Sequence, residues 1–136
     1  MKVGKYMDNM NIQLISRKKV YFSQIPNSFR DREDINWMEK AAWITLTNYA
    51  GEKGQCFPSL NTISKISGFS VNTVKKYFKK LEEKGGLYIC ERYDKATGKQ
   101  LSNRYYVIDI DYQTGQFDKS LLEPLKILYP DKKIFE

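Results

Sequence analysis

Residues 66–86, ISGFSVNTVKKYFKKLEEKGG, decide how the rest of the chain is read. Gly68 permits a sharp bend, Ser70 stands where a hydroxyl can cap the free amides of a following helix, and Gly85 and Gly86 stop that helix. Between these marks the apolar residues recur at helical spacing. At about 100° per residue, Val71, Val74, Phe78 and Leu81 share one face. Asn72, Thr73, Lys76, Lys79, Lys80 and Glu83 fall on or near the opposite one. Short hydrogen-bonding side chains lead and lysines follow. Lysines on the exposed side of an amphipathic helix are usually just solvated, so the helix alone identifies no partner. Its neighbours in the chain do.

Upstream, Asn36 with Glu39 forms a capping-box pattern before WMEKAAWITLTNYAG, a first helix closed by Gly51. Trp37, Ala41 and Ile44, with Met38, Ala42 and Leu46 beside them, predict a broad apolar face that Trp43 and Tyr49 extend. In EKGQCFPS, Gly54 marks a turn, Cys56 and Phe57 a short strand, and Pro58 a stop. Ser59 caps a second helix, LNTISKIS, with Leu60, Ile63, Ile66 and Ser67 on one side. Phe69 plugs the core beneath the bend. Downstream, LYICERY and QLSNRYYVIDID are strand-like runs around DKATGK, where Gly98 turns a hairpin.

The order helix, short strand, helix, glycine turn, helix, hairpin predicts a mainly α fold with a small β-hairpin (α+β). It is a winged helix-turn-helix: a three-helix core plus a wing. A length of 136 residues, with 41% hydrophobic and 14% aromatic, suits one domain with one core. Its predicted span is 20–110. Residues 1–19 then form an N-terminal arm. VYFSQIPN, at 20–27, is an extended lead-in because Pro26 biases Ile25 toward β geometry. Residues 111–136 form a C-terminal extension with a short helix interrupted by Pro124, or a dimer contact.

A net charge of +7 favours a polyanionic partner. The chain has no histidine, and Cys56 and Cys90 fit no zinc spacing, so neither metal nor other cofactor is expected. With no imidazole base and no glycine-rich phosphate loop, an enzyme is not expected either; DRED and LEE read as surface and helix-end charge. No apolar leader region and no run of about 20 apolar residues occurs, which predicts a cytoplasmic protein with free thiols and no membrane partner.

A helix so placed suits a DNA groove, with a recognition helix over 71–84 in the major groove and a wing over 87–109 on the backbone. Residues early in such a helix reach base edges, and these are Ser70, Asn72, Thr73 and Lys76. Phosphate contacts are expected from Ser59, Asn61 and Thr62, from Lys75, Lys79 and Lys80, and from Arg92, Lys95, Lys99 and Arg104 of the hairpin.

The segment GQCFPSLNTISKISGFSVNTVKKYFKKLEEKGGL also resembles the helix-turn-helix modules of phage and plasmid replication proteins and related regulators of Gram-positive bacteria. Gly54, Phe57, Pro58, Ser59, Leu60, Ile63, Gly68, Thr73, Val74, Leu81, Glu82, Gly85 and Leu87 carry the likeness. YFSQIPNSF and DRED look like the usual lead-in. The doubled glycine departs from the single one of the pattern and is expected to shift the first wing strand by a residue. The resemblance implies sequence-specific binding of double-stranded DNA in replication initiation or its control on a plasmid, phage or other mobile element. A transcriptional regulator with the same contacts is the alternative, and a winged-helix docking module without DNA binding a third. Implied partners are double-stranded DNA, a second copy in a homodimer, and a protein of the replication machinery.

Overall fold

The computed structural model describes residues 25–136; the arm and the first part of the lead-in lie outside them. Three helices form where the caps and glycines mark them: α1 at Trp37–Ala50, α2 at Leu60–Ser67 and α3 at Val71–Glu83. Each begins with a side-chain oxygen accepting the amide three residues on. Asn36 takes the Glu39 N–H at 2.8 Å, Ser59 that of Thr62 at 3.1 Å, and Ser70 that of Thr73 at 3.2 Å. Gly68 ends α2 with φ 78°, a left-handed geometry that a side chain would strain.

The phase of α1 differs from expectation. Trp37 is 64% exposed, and Met38, Ala41 and Tyr49 also face solvent, while Trp43, Leu46 and Ala50 enter the core. The reason lies in two inward charges. The Glu39 carboxylate accepts from Lys84 rather than closing the capping box, and the Lys40 ammonium donates to the carbonyls of Arg30 and Arg32. With partners supplied from outside the helix, polar residues occupy inner positions. On α2, Ile63 is buried but Ile66 is exposed.

The hairpin belongs to a four-stranded sheet, larger than expected. Its strands are β1 (Gln55–Cys56), β2 (Leu87–Tyr93), β3 (Gln100–Val107) and β4 (Lys133–Phe135), in the order β1-β3-β2-β4. β1 lies one residue earlier than predicted and pairs antiparallel with β3, Cys56 opposite Tyr105. β2 also runs antiparallel to β3, whereas β4 runs parallel to β2. Side chains alternate across the sheet. Leu87, Ile89, Tyr105 and Val107 pack with the helices in the main core. Tyr88, Cys90 and Ile134 form a second cluster on the far face, packed by Leu122, Leu125 and Tyr129.

Residues 111–136 complete this core. α4 (Leu122–Leu128) runs unbroken through Pro124, which sits in the first turn, where an amide has no helical partner to lose. Phe117 meets Phe29 and Trp43 at ring-centroid distances of 5.9 and 6.2 Å, and Phe29 and Trp43 lie 4.8 Å apart. The second glycine of the pair has a spatial reason. A Cβ on Gly86 would stand 2.7 Å from Phe117 Cζ, so the ring occupies the space a side chain would need. Arg32 of DRED, read above as surface charge, donates to Gly115 O at 3.1 Å and covers the Phe117 ring at 5.3 Å.

Candidate nucleic-acid interface

Helix α3 sets the geometry. Val74, Phe78 and Leu81 are buried and Val71 is half-buried, while Asn72, Lys75, Lys76, Lys79 and Glu83 are exposed and Thr73 and Lys80 half-buried. The lysines separate into two flanks. Lys76 and Lys80 stand over the Tyr77 ring at 5.6 and 5.9 Å, and Tyr77 in turn meets Phe69 of the glycine bend at 6.2 Å. Lys75 and Lys79 lie on the other flank, toward the sheet.

Two grooves open between α3 and the sheet. One, of about 400 Å³, is lined by Lys75, Lys79, Glu82, Glu91, Asn103 and Lys132, among others. The next, of about 390 Å³, brings Ser59, Asn61 and Lys75 beside Gln100, Ser102 and Asn103. Three predicted residues thus converge, two from the start of α2 and one from α3, and three polar residues of β3 join them that were not predicted. Asn103 carried a usable signal, since at two-residue spacing it shares the face of the inward Tyr105 and Val107 of the same strand.

The predicted hydroxyls are partly committed to the helix starts. Ser70 Oγ lies 2.9 Å from Thr73 Oγ1, and Ser59 Oγ lies 2.8 Å from Thr62 Oγ1, so each pair shares one hydroxyl proton while also capping its helix. Hydroxyl lone pairs remain for further bonds. Glu82, next to the lysines, does structural work: its carboxylate accepts the Ile89 amide at 2.7 Å and the Lys132 ammonium, binding the end of α3 to β2 and to the segment before β4.

At the hairpin tip Lys95 and Lys99 are exposed, and the turn is held by Asp94, whose side chain accepts the Ala96 amide at 2.8 Å. Arg92 and Arg104 are placed differently from the other predicted residues. Arg104 is registered with Cys90 and Arg92 with Ile134, which puts them on the sheet face away from α3. Both ion-pair with Glu136, Arg104 at 2.5 Å and Arg92 at 3.7 Å.

Cys56 and Cys90 are free thiols, and burial pushes both up to about 11, which leaves them protonated and unreactive near neutral pH. Among the described residues no group of His, Cys, Asp and Glu could hold a metal ion, and no helix is long and apolar enough to cross a membrane.

Residues 33–86, from before α1 to the doubled glycine after α3, match the family of helix-turn-helix domains. The chain therefore carries a helix-turn-helix module, and the partner such a module points to is DNA. No curated protein and no solved structure matches it.

Proposed function

We propose that this protein binds double-stranded DNA in a sequence-specific manner, as a winged helix-turn-helix, with α3 in the major groove and the β2–β3 hairpin on the backbone. The observation that supports this best is the outward face of α3. Asn72 and Lys76 project from its first turns, Lys75 and Lys79 line the groove on one flank, and Lys80 stands on the other. Asn72 can pair bidentately with adenine, Lys76 with guanine, and Thr73 can offer its methyl to thymine or its hydroxyl to either partner. Ser59, Asn61, Thr62, Lys75, Lys79 and Lys80 would then contact phosphates beside that row, with Lys95 and Lys99, exposed at the hairpin tip, reaching the backbone.

The role we favour is replication initiation or its control on a plasmid, phage or other mobile element, which rests on the resemblance of residues 54–87 to such modules. A transcriptional regulator would use the same contacts. Binding as a homodimer would double the half-site one α3 can read. Titration of a labelled random duplex at two salt concentrations tests the core of the reading. Affinity should fall with a log–log slope of about −0.9 per phosphate contacted. Absence of binding at low salt would leave only a protein-docking role. Protected repeats inside a replication origin would favour initiation, and repeats upstream of the protein's own gene would favour regulation.

A further inference from the structure

The far face of the hairpin holds a cluster that the α3 interface does not use. The Arg92 and Arg104 side chains are only 11% and 19% exposed. Both guanidiniums stand over the ring of Phe57, at 4.6 and 5.8 Å, and that ring is 57% exposed. Glu136 supplies one carboxylate to the two of them, Oε1 to Arg104 Nη2 and Oε2 toward Arg92 Nη1. Main-chain bonds hold Glu136 in place: its N–H donates to Tyr93 O at 3.0 Å, and its carbonyl accepts from Lys95 N at 2.6 Å.

The cluster has more donors than acceptors. Two guanidiniums carry about five N–H groups each, and a carboxylate offers about four lone-pair sites. The Nε atoms of both arginines are buried without a hydrogen-bond partner. Two positive charges face one negative charge, with Lys95 and Lys99 exposed further along the same hairpin. A phosphate fits this deficit better than a carboxylate does. It carries more oxygens, it suits the planar fork of arginine, and it is the group the proposed ligand displays.

We propose that the Arg92–Arg104 pair is a phosphate-binding site and that Glu136 fills it in the free protein as a built-in competitor, which a DNA backbone phosphate displaces. The inference rests on the DNA-binding reading for the source of the phosphate, though not for the chemistry of the site. Glu136 then lowers affinity for DNA in general and makes engagement of this face conditional on releasing its side chain. Phe57 keeps the two guanidiniums side by side throughout.

The test uses the full chain in the random-duplex titration. Glu136→Gln should tighten binding about three- to tenfold at low salt and steepen the log–log slope by about 0.9 to 1.8, the value of one to two added phosphate contacts. Glu123→Gln makes the same change of charge at an exposed position of α4 and should shift affinity by less than about twofold, as surface charges at a distance do. In an Arg92→Lys/Arg104→Lys background, which keeps the charge and loses the fork, the gain from Glu136→Gln should vanish. Equal effects of the two glutamine variants, or a gain that persists in the lysine background, would overturn the proposal. A second measurement is independent of DNA. Inorganic phosphate titrated into the Glu136→Gln protein should shift two arginine Nε–Hε resonances saturably. Their failure to move removes the site even if duplex binds, whereas shifted resonances without duplex binding keep the site and remove DNA as its source.

Discussion

Asn72 is the residue on which specificity rests in the proposed reading, because it is exposed near the start of α3 and carries both a donor and an acceptor at its tip. Asn72→Ala should therefore cost about 1–3 kcal/mol at one base position and relax preference there, as read by selection from randomised duplexes. Lys79→Ala, by contrast, should weaken binding evenly across sequences and reduce the salt slope by about 0.9. If both variants lose affinity without any change in preferred sequence, the assignment of Asn72 to a base is wrong. Gly86 belongs to the same scale, but its role is spatial. Because an added Cβ would press on Phe117, Gly86→Ala should destabilise the fold by about 1–3 kcal/mol, and Phe117→Leu should recover part of that in a urea titration. The doubled glycine was visible in the sequence; the ring it accommodates lies 31 residues further on and was not.

Among the elements, α3 is tied at both ends, by the Ser70 cap at one and by Glu82 and Lys84 at the other. Lys84 donates to the Asp34 carbonyl and to Glu39, whose side chain is 3% exposed. Lys84→Met would leave that carboxylate buried without its ion partner and should cost about 3 kcal/mol, against about 1 kcal/mol for Ser70→Ala. Thermal unfolding of the two variants checks the order; a smaller loss for Lys84→Met would mean that water reaches Glu39. Helix starts were legible because a cap and the amide it accepts lie three residues apart. The apolar face of α3 was legible because every inward residue there is apolar. That of α1 was not, because Glu39 and Lys40 turn inward toward partners outside the helix.

Over the whole molecule, the core is closed by residues 111–136, which set Phe117 against Phe29 and Trp43, cover the far face of the sheet with α4, and add β4 to its edge. Both cysteines take part in this enclosure, Cys56 on the helix side and Cys90 on the far side. Burial raises each thiol from 9.0 to about 11, so the folded state keeps a proton that the unfolded chain releases earlier. Their contribution to stability is fully present below pH 9 and is lost as pH rises toward 11. The urea midpoint should fall across that window, and less steeply in a Cys56→Ala/Cys90→Ala protein. Identical slopes in the two proteins would show that other groups, such as Tyr105 and Tyr106, both raised to about 12, carry the dependence.

The three helices and their caps, the glycine bend, the two hairpin strands and the basic outward face of α3 were legible in the amino-acid order alone. All of these depend on residues a few positions apart, whose spacing is set by the chain. Which side of α1 is buried, why two glycines follow α3, where residues 111–136 go, and that Arg92 and Arg104 lie on the sheet face away from α3 emerged only in the folded chain. Each of these is settled by a distant partner: Lys84 for Glu39, Phe117 for Gly86, Phe29 and Trp43 for Phe117, and Glu136 for the arginines. A buried charge or a close approach is stable only when that partner arrives, and no local pattern announces it.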